Sequence, residues 1–215
     1  MYKYIDALKS ISLLFIVVFF FACKDSSSTN KTTTKTEAAP ISTTKTVVKN
    51  GTTQEVVWTF NEFGSPAMKF NSPAKLKKEN TGITKPPTPQ IEKIDFWATA
   101  APIYQIDNIS ATFATLKKVE GVTDSTLYAT MISASKATIE EFTKTKNMKF
   151  DVHESGIKIN ENPGIMQIMN VADSINFHNA YFLKNGSFYH LGIVSRNNPQ
   201  TIEACNEIIS SIDID

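Results

Sequence analysis

An unbroken apolar run, Leu13 to Phe21, opens the chain; a polar stretch follows, and regular periodicity begins only near residue 47. Val56-Val57-Trp58-Thr59-Phe60 follows an Asn50-Gly51 turn signal, and Met68-Lys69-Phe70 alternates before Ser72-Pro73, so both stretches predict strands. Residues 77–90 are polar and carry Lys85-Pro86-Pro87, which disfavours helix and predicts a loop. Two more strands are predicted over Ile94 to Ala98 and Ile103 to Leu116. In the second, Ile109, Ala111, Phe113 and Thr115 share one face, and Ser110, Thr112 and Ala114 share the other.

A change of period then marks a helix. Asp124-Ser125 is an N-cap signal, and Leu127, Tyr128, Met131, Ile132, Ser135, Ile139 and Phe142 recur at helical spacing, predicting a helix over 124–147. After Phe150 the period returns to two: Ile157 and Ile159 alternate, Asn162-Pro163-Gly164 reads as a break, and Ile165 to Val171 is a short apolar run. Ser174 to Lys184 and Ser187 to Ser195 flank Asn185-Gly186, the strongest hairpin signal in the chain. Asn198 with Pro199 opens a last helix, its buried stripe formed by Ile202, Cys205, Ile209 and Ile212. Sequence-adjacent strands joined by tight turns predict an antiparallel sheet covered by helices, an α+β sandwich spanning residues 47–215.

The front end carries an address. Lys3 and Lys9 precede the apolar run, which is too short to cross a ~30 Å hydrocarbon core as a helix. The run ends at Ala22-Cys23 and polar residues follow at once, the layout of a cleaved signal peptide over residues 1–22. The Cys directly after a small residue resembles the lipobox of bacterial lipoproteins. That resemblance implies diacylglycerol on the sulfur of Cys23 and a cell-envelope location, at the outer membrane facing the periplasm or the cell surface. Lys24-Asp25 is similar to part of the surface-export signal of Bacteroidetes lipoproteins. Residues 23–46 are rich in Ser, Thr and Lys, cannot bury enough apolar surface to order themselves, and read as a disordered linker.

Composition removes several functions. With 22 basic and 21 acidic residues the formal net charge is +1, so no basic footprint for nucleic acid is expected. Two cysteines exclude a disulfide scaffold or a four-cysteine metal cage. Arg196 is the only arginine, which argues against a dedicated anion-binding cluster.

Two stretches carry a further resemblance. GSPAMKFNSPAKLKKE, residues 64–79, resembles the opening strand of the PsbP/DcrB-like superfamily, and AYFLKNGSFYHLGIVSRNNPQTIEACNEIISSIDI, residues 180–214, resembles its closing hairpin, helix and Ser-Ile motif. Members include photosystem extrinsic subunits, bacterial envelope lipoproteins and a nuclear Ran-binding protein. The resemblance implies an α-β-α sandwich with an accessory or binding role, and it carries over no site residue.

Candidate chemistry is thin. Across a two-residue Asn185-Gly186 turn, His178 faces Ile193 and His190 faces Tyr181, so the two histidines point to opposite faces and share no metal. His153 and Asp151 share a face of an extended strand near Glu154, but two ligands do not make a site. Cys205 on an apolar helical stripe packs as a small hydrophobe. Ser133 and Lys136 lack the supporting motifs of a Ser-Lys hydrolase, and Glu140-Glu141 diverge on a helix. No catalytic residue, metal or cofactor is assigned, and an enzyme is not expected.

Phe96 and Trp97, adjacent in a strand, cannot face the same core. With Trp58 they are candidate partner or ligand contacts, unless a second layer buries them. The reading is a lipid-anchored envelope protein with a non-catalytic domain that engages a partner protein. The alternative is a small-molecule or lipid carrier with a cavity between sheet and helices, lined by Met131, Met166 and Met169.

Overall fold

The structure is a computed structural model, described over residues 42–49, 52–79, 91–117, 120–146 and 149–215. The signal segment, Cys23 and the linker up to residue 41 lie outside the described residues, as does the proline-marked part of the loop at 80–90.

Eleven strands among the described residues form two antiparallel sheets. The smaller has the order β1 (Thr43–Lys49), β2 (Thr52–Phe63), β3 (Met68–Ser72) and β11 (Asp213–Ile214). The larger has seven strands: β4 (Lys77–Lys78), β5 (Ile91–Ala101), β6 (Ile106–Leu116), β10 (Ser187–Arg196), β9 (Ile175–Lys184), β8 (Asn162–Val171) and β7 (Phe150–Ile159). Helix α1 (Asp124–Lys146) lies on one face of the large sheet, where Met131 packs with Ile91, Ala114, Tyr181 and Phe188. The other face is covered jointly by helix α2 (Pro199–Ser210) and the small sheet. Trp58, Phe70, Ile109, Leu191 and Ile208 meet there in the main core.

The α+β arrangement and the antiparallel sheet follow the sequence pattern, with one outer layer shared between a helix and a second sheet. The alternation expected for β6 holds. Ile109, Ala111 and Phe113 enter the main core, while Ala114 joins the cluster under α1.

Several boundaries differ, each for a physical reason. β1 starts at Thr43, inside the stretch read as linker, because β-branched Thr43, Thr44 and Thr46 pair with β2 and Val47 is buried against the core. The strand expected from Ile103 begins at Ile106. Pro102 starts a single 3-10 turn through Tyr104, and Gln105 closes it at φ 55°. Asn162-Pro163-Gly164 is the start of β8 rather than a break. The reversal falls at Asn160-Glu161, both at positive φ as a two-residue hairpin turn requires. Pro163 is tolerated because β8 pairs with β9 only from Gly164 onward.

Both helix starts are capped. Thr123, one residue before the expected signal, accepts from the Thr126 amide at 3.3 Å. Asn198 caps α2 as expected, accepting from the Thr201 amide at 3.0 Å, with Pro199 next. The buried stripe of α2 is rotated from the expected one. Ala204, Cys205, Ile208 and Ile209 are buried, and Ile202 is only half-buried.

Candidate functional site

The β9–β10 register pairs His178 with Ile193 and His190 with Tyr181, so the histidines do point to opposite faces. Their surroundings differ sharply. On the α1 side, the His190 ring stacks on Tyr181 with centroids 4.9 Å apart, and its Nε2 lies 3.0 Å from Asn179 Oδ1. Burial pushes its pKa down to about 3. This is a neutral core histidine with partners.

His178 faces the α2 side and is 2% exposed. Neither Nδ1 nor Nε2 has a hydrogen-bond partner. Burial lowers its pKa to about 4, so the ring is neutral near pH 7. Register carries two cross-strand rows past it. One runs His153–Ile168–His178–Ile193, and the next runs Asp151–Asn170–Asn176–Ser195. In the second row Asn170 Nδ2 donates to Asp151 Oδ2 at 2.9 Å, and His153 Nε2 sits 3.0 Å from the same oxygen. Asn176 Nδ2 donates to Asn197 Oδ1 at 3.3 Å, which leaves the buried Asn176 Oδ1 without a partner. Asn197 Nδ2 is held by the Asp173 carbonyl at 3.1 Å.

Ile202 and Asn206 of α2 close the other side, leaving a cleft of about 380 Å³. A larger cleft, about 490 Å³, lies between the β9–β10 turn and the start of α1, among Leu116, Lys117, Asp124, Leu127 and Lys184. None of the unpartnered buried polar atoms among the described residues lines it. The chemistry therefore concentrates in the smaller cleft.

Of the grouping expected around His153, the structure brings His153 and Asp151 together. Glu154 points to the opposite face, where its Oε1 accepts from Gln167 Nε2 at 3.1 Å. Among the described residues no three His, Cys, Asp or Glu side chains converge as a metal site. Cys205 is fully buried and that burial pushes its thiol up to about 11.

The three candidate aromatic contact residues sit in different surroundings. Trp58 is buried, its Nε1 donates to Tyr104 Oη at 3.0 Å, and Lys45 Nζ lies 4.0 Å from its ring centroid. Phe96 is buried on the α1 side of the large sheet with Ala98. Trp97, on the opposite side, is half-buried against Phe63 with centroids 4.6 Å apart. Trp58 and Phe96 are thus buried side chains, and Trp97 is the half-buried one of the three. The methionines do not share a cavity: Met131, Met169 and Met166 pack in three separate clusters.

Sequence reasoning missed the asparagines of the cleft, Asn170, Asn176, Asn197 and Asn206. The β8–β9 turn at 172–174, with Ala172 and Asp173 at positive φ, sets the register that aligns them, and no glycine announces that turn.

No protein-family model matches the chain, and no curated protein matches it. Among solved structures, it is similar to the solution structure of cyanobacterial PsbP (CyanoP) from Synechocystis sp. PCC 6803. The TM-score is 0.50 at 8% identity, covering 85% of this chain and 98% of that one. The fold is PsbP-like. The chain also overlaps the protein Mog1, in a point-mutant form, with TM-score 0.39 and 10% identity over 73% of this chain and 95% of that one. A protein of unknown function from Pseudomonas aeruginosa gives TM-score 0.33 and 8% identity, over 66% of this chain and 99% of that one. At these scores neither adds to the fold assignment.

Proposed function

We propose that this chain is a lipid-anchored envelope protein whose PsbP-like domain binds a partner protein without catalysing a reaction. The observation that carries the non-catalytic reading is the placement of its reactive groups. His178 and His190 are buried and held neutral, and the Cys205 thiol is buried with its pKa raised to about 11. A general base needs a pKa near working pH and a nucleophilic thiol needs access. The anchoring reading rests on the segment ending at Ala22-Cys23. It places the protein at the outer membrane, on its periplasmic side or at the cell surface. Among the described residues no helix is long and apolar enough to cross a membrane.

The test has two arms. Metabolic labelling with an alkyne fatty acid should tag the full-length chain and fail on Cys23→Ser; equal labelling of that variant sinks the anchor. In-cell crosslinking followed by mass spectrometry should return the same envelope protein in repeated captures. Val57 is the exposed large apolar side chain among the described residues, so Val57→Glu is the variant to compare. The absence of any recurrent capture would sink the partner reading.

A further inference from the structure

The cleft between α2 and strands β7 to β9 holds polar capacity that the fold itself does not use. His178 Nδ1, His178 Nε2 and Asn176 Oδ1 are buried and unpartnered. A buried polar group without a partner is costly, and His178 and Asn176 both belong to the residues that line one concavity, which makes it a place for an occupant. At about 380 Å³ the cleft is far larger than one water and falls in the range of small-molecule sites.

The lining restricts the chemistry of that occupant. It contains Asp151 and Asp173 but no lysine or arginine, so an anion would enter against like charge. The neutral His178 ring offers one donor and one acceptor, and Asn176 offers an acceptor. The Asn206 amide at the rim adds one donor group and one acceptor. A hydroxyl, which donates one hydrogen bond and accepts others, satisfies each of these in turn. Ile168 and Ile202 supply apolar walls that suit the C–H faces of a ring. We propose that this cleft binds a neutral, polyhydroxylated ligand of monosaccharide size, with His178 and Asn176 at its floor and Asn206 at its rim. This proposal depends neither on the lipid anchor nor on the partner-binding reading.

The experiment uses the full-length chain in a detergent without a sugar headgroup, with 15N-labelled imidazole and amide resonances followed by NMR. The probes are glucose, galactose, N-acetylglucosamine and inositol, with gluconate as the anionic control. At least one neutral probe should shift the His178 and Asn176 side-chain signals saturably, while His190, on the far face of the sheet, stays fixed. Asn206→Leu, an exposed change that leaves the core alone, should weaken that binding about tenfold through lost hydrogen bonds and occlusion of the rim. The proposal is overturned if all four neutral probes leave His178 unmoved at concentrations on the order of 0.1 M, where millimolar sites are full. It is equally overturned if gluconate binds as well as the sugars, or if Asn206→Leu changes nothing.

Discussion

Acidification from pH 7 to pH 5 should cost this domain a large share of its stability, and the two buried histidines set how much. Both have pKa values lowered by burial from an ordinary 6.5, His178 to about 4 and His190 to about 3. The unfolded chain therefore takes up two protons near pH 6.5 that the folded chain refuses. With more protons bound in the unfolded state, stability falls as pH falls below 6.5 and continues to fall until the folded-state values are reached. Between pH 7 and pH 5 each histidine contributes about 2 kcal/mol of loss, so the pair removes about 4 kcal/mol. Against a typical stability of about 5–15 kcal/mol, that is enough to move a denaturation midpoint well outside experimental error.

Asp95 does not blur this window. Burial of Asp95 opposes its charge, but hydrogen bonds from Lys78 and Lys93 outweigh that and leave its pKa below the ordinary 3.8. Its contribution is therefore present above about pH 4 and lost only below it. Urea titrations at several pH values from 7 to 5 measure the slope directly. His178→Gln, which cannot take up the proton, should cut the loss to about 2 kcal/mol, and the double change with His190→Gln should nearly flatten the curve. A wild-type loss under about 1 kcal/mol, or a slope indifferent to both substitutions, would refute the assignment of two neutral buried histidines.

Three further changes probe the frame around the cleft. Asn198→Ala removes the α2 cap at the Thr201 amide and should cost about 1 kcal/mol by thermal or chemical melting. Ile208→Ala empties a fully buried position between α2 and the sheets and should cost about 2–5 kcal/mol in the same assay. Gly164→Ala would place a Cβ 2.6 Å from both the Phe182 ring and the Tyr181 carbonyl, so a loss of about 1–3 kcal/mol is expected from urea unfolding, with β8 pushed off β9.

Where a local rule has one strong solution, the sequence could be read directly. Asn185-Gly186 fixed the β9–β10 register, and with it the opposite orientation of the two histidines, because both residues sit at positive φ without steric cost. Asn198-Pro199 marked α2 for a similar reason. Reading failed where two rules competed. Thr43-Thr44-Lys45-Thr46 is polar enough to pass for linker, yet its β-branched residues suit an edge strand once β2 is there to pair with. Asn162-Pro163-Gly164 carries three turn-forming residues, and tertiary pairing placed the turn just ahead of them, at Asn160-Glu161. The packing of Phe63 on Trp97 is a long-range contact that no local pattern encodes.

The same sheet buries one histidine on each face, and the contrast between them separates structure from function. His190 is matched by its neighbours: Asn179 meets a ring nitrogen and Tyr181 covers the ring. Such a group stabilises one packing arrangement and asks for nothing more. His178 lies one strand away through the same register, among Ile168, Ile193 and Ile202, with both nitrogens unmet beside the open acceptor of Asn176. An apolar residue at that position would spare the fold two unsatisfied atoms and the pH penalty worked out above. The position therefore carries a cost in the empty domain that an occupant of the cleft would offset, and the occupant's chemistry must be complementary to a neutral imidazole and an amide oxygen.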